Sequence, residues 1–196
     1  FSDRVIWLAS LLVAAGATMS GFMIIVVNSW MQTPAGFAID PVTGQAVLTD
    51  VWAAVFNPST LPRFLHTITA AIITGSFFVM GISAWYLCKG RFEEFAQRSL
   101  RVALVFAVVA TIVQIQLGHY HGHQVWKTQP AKMAAFEGLF ESERNPTLMV
   151  FGIIDREERK VHFPIGIPNF MSIFLDLNPD TVIQGLEEFP EENWPP

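Results

Sequence analysis

Lys132 and Glu137 stand in the stretch QPAKMAAFEG, Gln129 to Gly138, which follows closely on a long apolar run. On a helix, residues five apart are turned by about 140° from one another, so this pair does not form the usual i to i+4 ion pair. A carboxylate with a cation nearby at the rim of an apolar site has another use. It can accept a proton from a hydroxyl while the cation helps to hold a polar head group, which is general-base chemistry at a membrane surface. Two solvated surface charges are the alternative, and composition alone favours that reading.

His66 lies about one turn inside a second apolar run. An unsatisfied polar ring in hydrocarbon costs several kcal/mol, so the imidazole must be ligating or hydrogen-bonded. Ligation of a metal or haem iron would use one ring nitrogen and a hydrogen bond the other. A bond to a neighbouring helix would satisfy the ring without any metal. Gly75, Ser76, Gly81, Ser83 and Ala84 on the same run are small, and they let either a second helix or a flat macrocycle come close. In GHYHGHQ, His119, His121 and His123 alternate as in a strand or loop, where two of them could share one metal ion. Ser20 and Asn28, eight residues apart in the first apolar run, share roughly one helix face. They line a hydrated path there or bond to an adjacent helix.

The elements that must position these residues are long and apolar. Of the 196 residues 52% are hydrophobic and only 15% charged, against about 25% charged in an average soluble domain. Val5 to Ser29 carries no charge, Phe64 to Cys88 is free of Asp, Glu, Lys and Arg, and Val102 to Gly118 is a shorter run of the same kind. At ~1.5 Å per residue each approaches the thickness of a hydrocarbon core. The spacing predicts three transmembrane helices at about 4–30, 63–88 and 99–118 within residues 1–118. The connection KGRFEEFAQRSLR holds Lys89, Arg91, Arg98 and Arg101, whereas the preceding loop has no Lys or Arg before Arg63. By the positive-inside rule the basic connection is cytoplasmic, and residues 119–196 form an extracytoplasmic loop with a short helix at 131–140.

The fold class expected is therefore all-α, a multi-pass transmembrane helical bundle with an extracytoplasmic loop region. A net charge of −5 with no basic runs excludes a nucleic-acid footprint. The single cysteine, Cys88, excludes an intrachain disulfide and a CxxC metal knuckle. The chain opens at Phe1 and closes in WPP, and reads as a piece cut at both ends that stops before a next helix.

Taken together, NSWMQTP (Asn28 to Pro34), RFLHTITAAIITGSFFVMGISAWYL (Arg63 to Leu87), QPAKMAAFEG and FGIIDRE (Phe151 to Glu157) closely resemble subunit I of the cytochrome bd quinol oxidases, over essentially the whole chain. The resemblance implies a terminal oxidase of the bacterial cytoplasmic membrane, a quinol:oxygen oxidoreductase that contributes to proton-motive force without pumping. It implies that His66 is an axial ligand of the iron of the low-spin haem b. It also makes Lys132 and Glu137 the catalytic, quinol-binding pair, with Glu137 taking the proton. Ser20 and Asn28 fall where the family has polar residues beside a proton path. A second haem b and a haem d are implied for the full subunit, with ligands outside this chain. The implied partners are ubiquinol or menaquinol, dioxygen, subunit II, a small accessory subunit and the lipid bilayer. Two other readings stay open at this point: a haem-free membrane interaction or assembly protein, and a di-haem b electron carrier that does not reduce oxygen.

Overall fold

The structure is a computed structural model that describes residues 1–195. It divides into two compact units, Phe1–Gly118 and the part from His119 onward.

The first unit is built on three long helices. α1 (Asp3–Gln32) is followed by a small hairpin, β1 (Phe37–Ile39) and β2 (Ala46–Leu48), a short helix α2 (Val51–Val55), and the long α3 (Thr60–Cys88) and α4 (Glu93–Thr128). α1, α3 and α4 are each long and apolar enough to cross a membrane. In α1 the most apolar stretch has none of its residues buried within the protein. Leu11, Leu12, Val13 and Ile24 are all exposed, which water would penalise and lipid or neighbouring helices would not. The helical membrane bundle read from the sequence is the observed architecture, with small two-stranded sheets added to it.

Aromatic and polar contacts join α1 to α3. The Phe22 ring meets Phe64 edge-on, with centroids 5.1 Å apart. Arg63 Nη1 donates to Asn28 Oδ1. The Thr33 hydroxyl lies 2.8 Å from Ser59 Oγ and 3.1 Å from Asn57 Oδ1, in a cluster where Ser29, Asn57, Ser59 and Thr60 are all buried. Small side chains mark the buried positions of α3 and α4. Thr69, Ser76 and Ser83 are the buried positions of one stripe and Ala96, Ala103 and Ala110 of another, each with a seven-residue repeat. Such repeats keep one seam of each helix turned inward. A cavity of about 610 Å³ is lined by Ser76 from one stripe and Ala103 from the other.

α4 runs well past the 99–118 expected from hydropathy. Its first turn carries Glu93 and Glu94, which favour a helix N-terminus, and Arg98 pairs with Glu94 one turn on. At its other end the helix includes His119, His121 and His123, so these three lie on a helix and not in a strand or loop.

The second unit begins inside α4. Gln129 alone separates α4 from α5 (Pro130–Glu137), the short helix expected at 131–140, which ends three residues earlier than expected. Then come β3 (Glu143–Arg144), a hairpin of β4 (Leu148–Asp155) and β5 (Lys160–Ile167), α6 (Met171–Asp176), and β6 (Val182–Ile183), which pairs back on β3. The β4–β5 turn is fixed by Asp155, whose Oδ1 accepts the N–H groups of Glu157 and Glu158, both at 2.9 Å. Those two bonds hold the Asp155 carboxyl below its ordinary range, the Glu158 bond most of all. Met133, Met171, Leu175 and Ile183 form one buried cluster, and Ala134, Phe140, Leu186 and Trp194 another. α5 contributes to both.

Candidate functional site

His66 sits in the second turn of α3, whose opening turn carries Pro62 where no intrahelical N–H partner is needed. Its ring is half-buried against α4. Gln114 Nε2 lies 3.1 Å from His66 Nδ1 and 3.0 Å from His66 Nε2. One turn further along α4, Gly118 brings backbone close to the ring, where an added Cβ would stand 3.7 Å from His66 Cε1. Gly75 and Gly81 of α3 have open space beside them. The site thus has one imidazole whose two nitrogens both face the Gln114 amide, and a buried Gln114 oxygen with no hydrogen-bond partner. These features fit an axial haem ligand. They equally give His66 a helix-to-helix contact, the other outcome that the sequence left open.

Lys132 and Glu137 lie on α5, which the sequence punctuates clearly. Pro130 occupies the first turn, and Gly138 closes the helix in the left-handed region at φ 62°. A Cβ there would come within 2.5 Å of Val161 Cγ2, so only glycine lets the hairpin pack this close. Met133 and Ala134 point into the two cores, and this fixes the rotation of the helix. Lys132 and Glu137 are left partly buried on its flanks. The Lys132 ammonium stands 5.6 Å from the centre of the exposed Phe136 ring, one turn away. The Glu137 Oε2 accepts the Met149 N–H at 2.8 Å. Burial pushes the Glu137 carboxyl above its ordinary value, and the Met149 bond offsets part of that rise. A half-buried carboxylate with a raised pKa, held by one oxygen, is a competent proton acceptor.

The remaining residues singled out in the sequence are placed otherwise. His123 Nδ1 donates to the Leu175 carbonyl at 2.7 Å, and His119 packs edge-on against Phe174. These two lie four residues apart on one face of α4, and His121, two residues from each, points elsewhere. Among the described residues, the group that could share an ion is instead Asp155, Glu158 and His162 at the β4–β5 turn. Ser20 is exposed on α1, and the side-chain oxygen of Asn28 is taken by Arg63. Two participants were missed in the sequence: Gln114 and the backbone of Met149. Gln114 carried a partial signal, as one of two amides, with Gln116, inside a largely apolar run. Met149 carried none, because a main-chain donor has no residue type.

Over residues 1–196 the chain matches the family described as cytochrome bd terminal oxidase subunit I. The chain belongs to that family. It is 35% identical over 189 residues to cytochrome bd-II ubiquinol oxidase subunit 1 of Escherichia coli (strain K12), covering 96% of this chain and 37% of that protein. To cytochrome bd ubiquinol oxidase subunit 1 of Bacillus subtilis (strain 168) it is 36% identical over 168 residues, 85% of this chain and 35% of the relative. The fold is similar to that of the bd oxidase from Geobacillus thermodenitrificans, with a TM-score of 0.86 and 30% identity, over 100% of this chain and 45% of the other. This member of the cytochrome bd family therefore spans little more than a third of the curated relatives named here.

Proposed function

We propose that this chain is the quinol-oxidising part of a bd-type terminal oxidase in the bacterial cytoplasmic membrane. The observation that carries the reading is Glu137: a carboxylate with a raised pKa, half-buried beside an apolar core, with one oxygen held by Met149 and the other left for an incoming hydroxyl. Glu137 Oε1 takes the proton of a bound quinol, and the Met149 N–H keeps the carboxyl plane fixed while it does so. Lys132 supplies a positive charge on the same short helix and orients the quinol oxygen, its ammonium 5.6 Å from the centre of the Phe136 ring. The quinol is ubiquinol or menaquinol.

His66 would hold the iron of the low-spin haem b through one ring nitrogen. When bound, the haem would supply one-electron redox chemistry; the further haems, a second b and a d, would be held by parts of the oxidase outside this chain, and dioxygen reduction would belong to them. The basic α3–α4 connection faces the cytoplasm, so residues 119–196 face outward and the Glu137 proton is released outside. Oxidation of quinol there contributes to proton-motive force. Subunit II and a small accessory subunit complete the complex.

The test is quinol-driven oxygen uptake by membranes carrying Glu137→Gln, beside their haem spectrum. The amide still accepts from Met149 but takes no proton, so turnover falls by about 10²-fold or more while the spectrum stays intact. Normal turnover in this variant overturns the reading.

A further inference from the structure

Gln114 lies in VVATIVQIQLG, one of the most apolar parts of α4. Its amide group is within 3.1 Å of both ring nitrogens of His66, and its own oxygen is buried and claimed by no other group. An imidazole that gives one nitrogen's lone pair to a metal keeps a proton on the other, and that N–H can only donate. A partner in hydrocarbon must then offer an acceptor, because an unmet buried donor is costly. Of the two ends of the Gln114 amide, only Oε1 qualifies. A half-turn of the amide about its terminal bond brings that oxygen to the place of the nitrogen with little change in shape. The amide stands over the ring at nearly equal distance from both nitrogens, so a small rotation of the Gln114 side chain toward either one brings Oε1 into line with the N–H that does not face the iron.

We infer that Gln114 is a positioning residue for His66: its amide oxygen accepts the proton of the ring nitrogen that does not bind iron, and so fixes the tautomer and the ring plane. The inference rests on the reading of His66 as a haem ligand. Partners of this kind strengthen the imidazole as an electron donor to the metal, and their removal weakens metal retention by about 10- to 100-fold. A stronger donor favours the oxidised iron, so losing the acceptor raises the midpoint potential. Gly118, on the same face of α4 one turn away, also lies beside the ring, where an added Cβ would make an ordinary contact with His66 Cε1 at 3.7 Å.

The experiment is a redox titration of the b-type absorption band in membranes carrying the intact protein as wild type, His66→Ala, Gln114→Leu and Gln114→Glu. Leucine removes the acceptor at similar volume, and glutamate keeps an acceptor oxygen in either protonation state. The expected result is loss of the low-spin b band in His66→Ala, an upward midpoint shift or loss of the band in Gln114→Leu, and a midpoint at or below wild type in Gln114→Glu. Loss of the band in His66→Ala with unshifted midpoints in both Gln114 variants overturns this inference alone. Persistence of the band in His66→Ala overturns the ligand reading and this inference together.

Discussion

The Glu137 carboxylate accepts the Met149 backbone N–H at 2.8 Å, which ties the last residue of α5 to the start of β4. The bond favours the charged form and burial favours the neutral one, and burial is the larger effect, so the carboxyl titrates above its ordinary 4.5.

A proton acceptor must start ionised, so quinol oxidation is expected to fall as pH drops through a value above 4.5. Stability moves the other way. The folded state binds this proton more tightly than the unfolded chain, so the stabilising contribution is complete below the unfolded pKa and is lost as pH rises through the raised one. Glutamine carries no charge at any pH. Melting temperatures of wild type and Glu137→Gln, measured from pH ~4 to ~8, should therefore diverge in favour of the variant as pH rises. A constant difference would place Glu137 at its ordinary value.

Lys132 tests the other half of the pair. Lys132→Met keeps an apolar stem beside Phe136 and removes the charge, so KM for quinol is expected to rise by about 10-fold or more, the range of a lost hydrogen bond to a charged group. Lys132→Arg keeps a cation over the ring and should restore part of the loss. Steady-state oxygen uptake against quinol concentration measures both. An unchanged KM in the methionine variant would make Lys132 a surface charge.

Hydropathy marks where hydrocarbon is, not where a helix ends. The three spans were legible for that reason, while α4 was expected at 99–118 and runs from Glu93 to Thr128. Its first residues are charged but suit a helix start, and GHYHGHQ is helical with His119 packed on Phe174 and His123 bonded to the Leu175 carbonyl of α6. The alternation of its histidines carried a strand-like pattern that these tertiary contacts overrode. The β4–β5 hairpin was visible only as broken apolar pieces, since its turn is set by side-chain bonds from Asp155 rather than by an Asn-Gly or Asp-Gly pair. His66, Lys132 and Glu137 stood out by residue type in unusual surroundings. Their partners did not, because Gln114 and Met149 reach them only once the chain is folded.

Gly138 links the stability of the second unit to its chemistry. Alanine there meets two penalties, a left-handed backbone at φ 62° and a Cβ within 2.5 Å of Val161 Cγ2. Gly138→Ala should destabilise by about 1–3 kcal/mol and shift Glu137 beside it. Adding Val161→Ala removes the clash but not the backbone strain, so the double variant should recover only part of the melting temperature and of the activity. Full recovery would mean that the clash is the whole effect.

Asn28 separates a structural tie from a proton path. Its side-chain oxygen accepts from Arg63, which joins α1 to α3. Asn28→Leu is close in volume and leaves the guanidinium without that acceptor, so stability should fall by about 1–3 kcal/mol. If the tie is the whole role, turnover per haem stays at the wild-type value in the surviving protein. Ser20 is exposed on the same helix, and Ser20→Ala should leave both stability and turnover unchanged. The measurement is thermal inactivation alongside oxygen uptake normalised to haem. A drop in normalised turnover in both variants, with stability unaltered, would instead place Ser20 and Asn28 on a shared proton route.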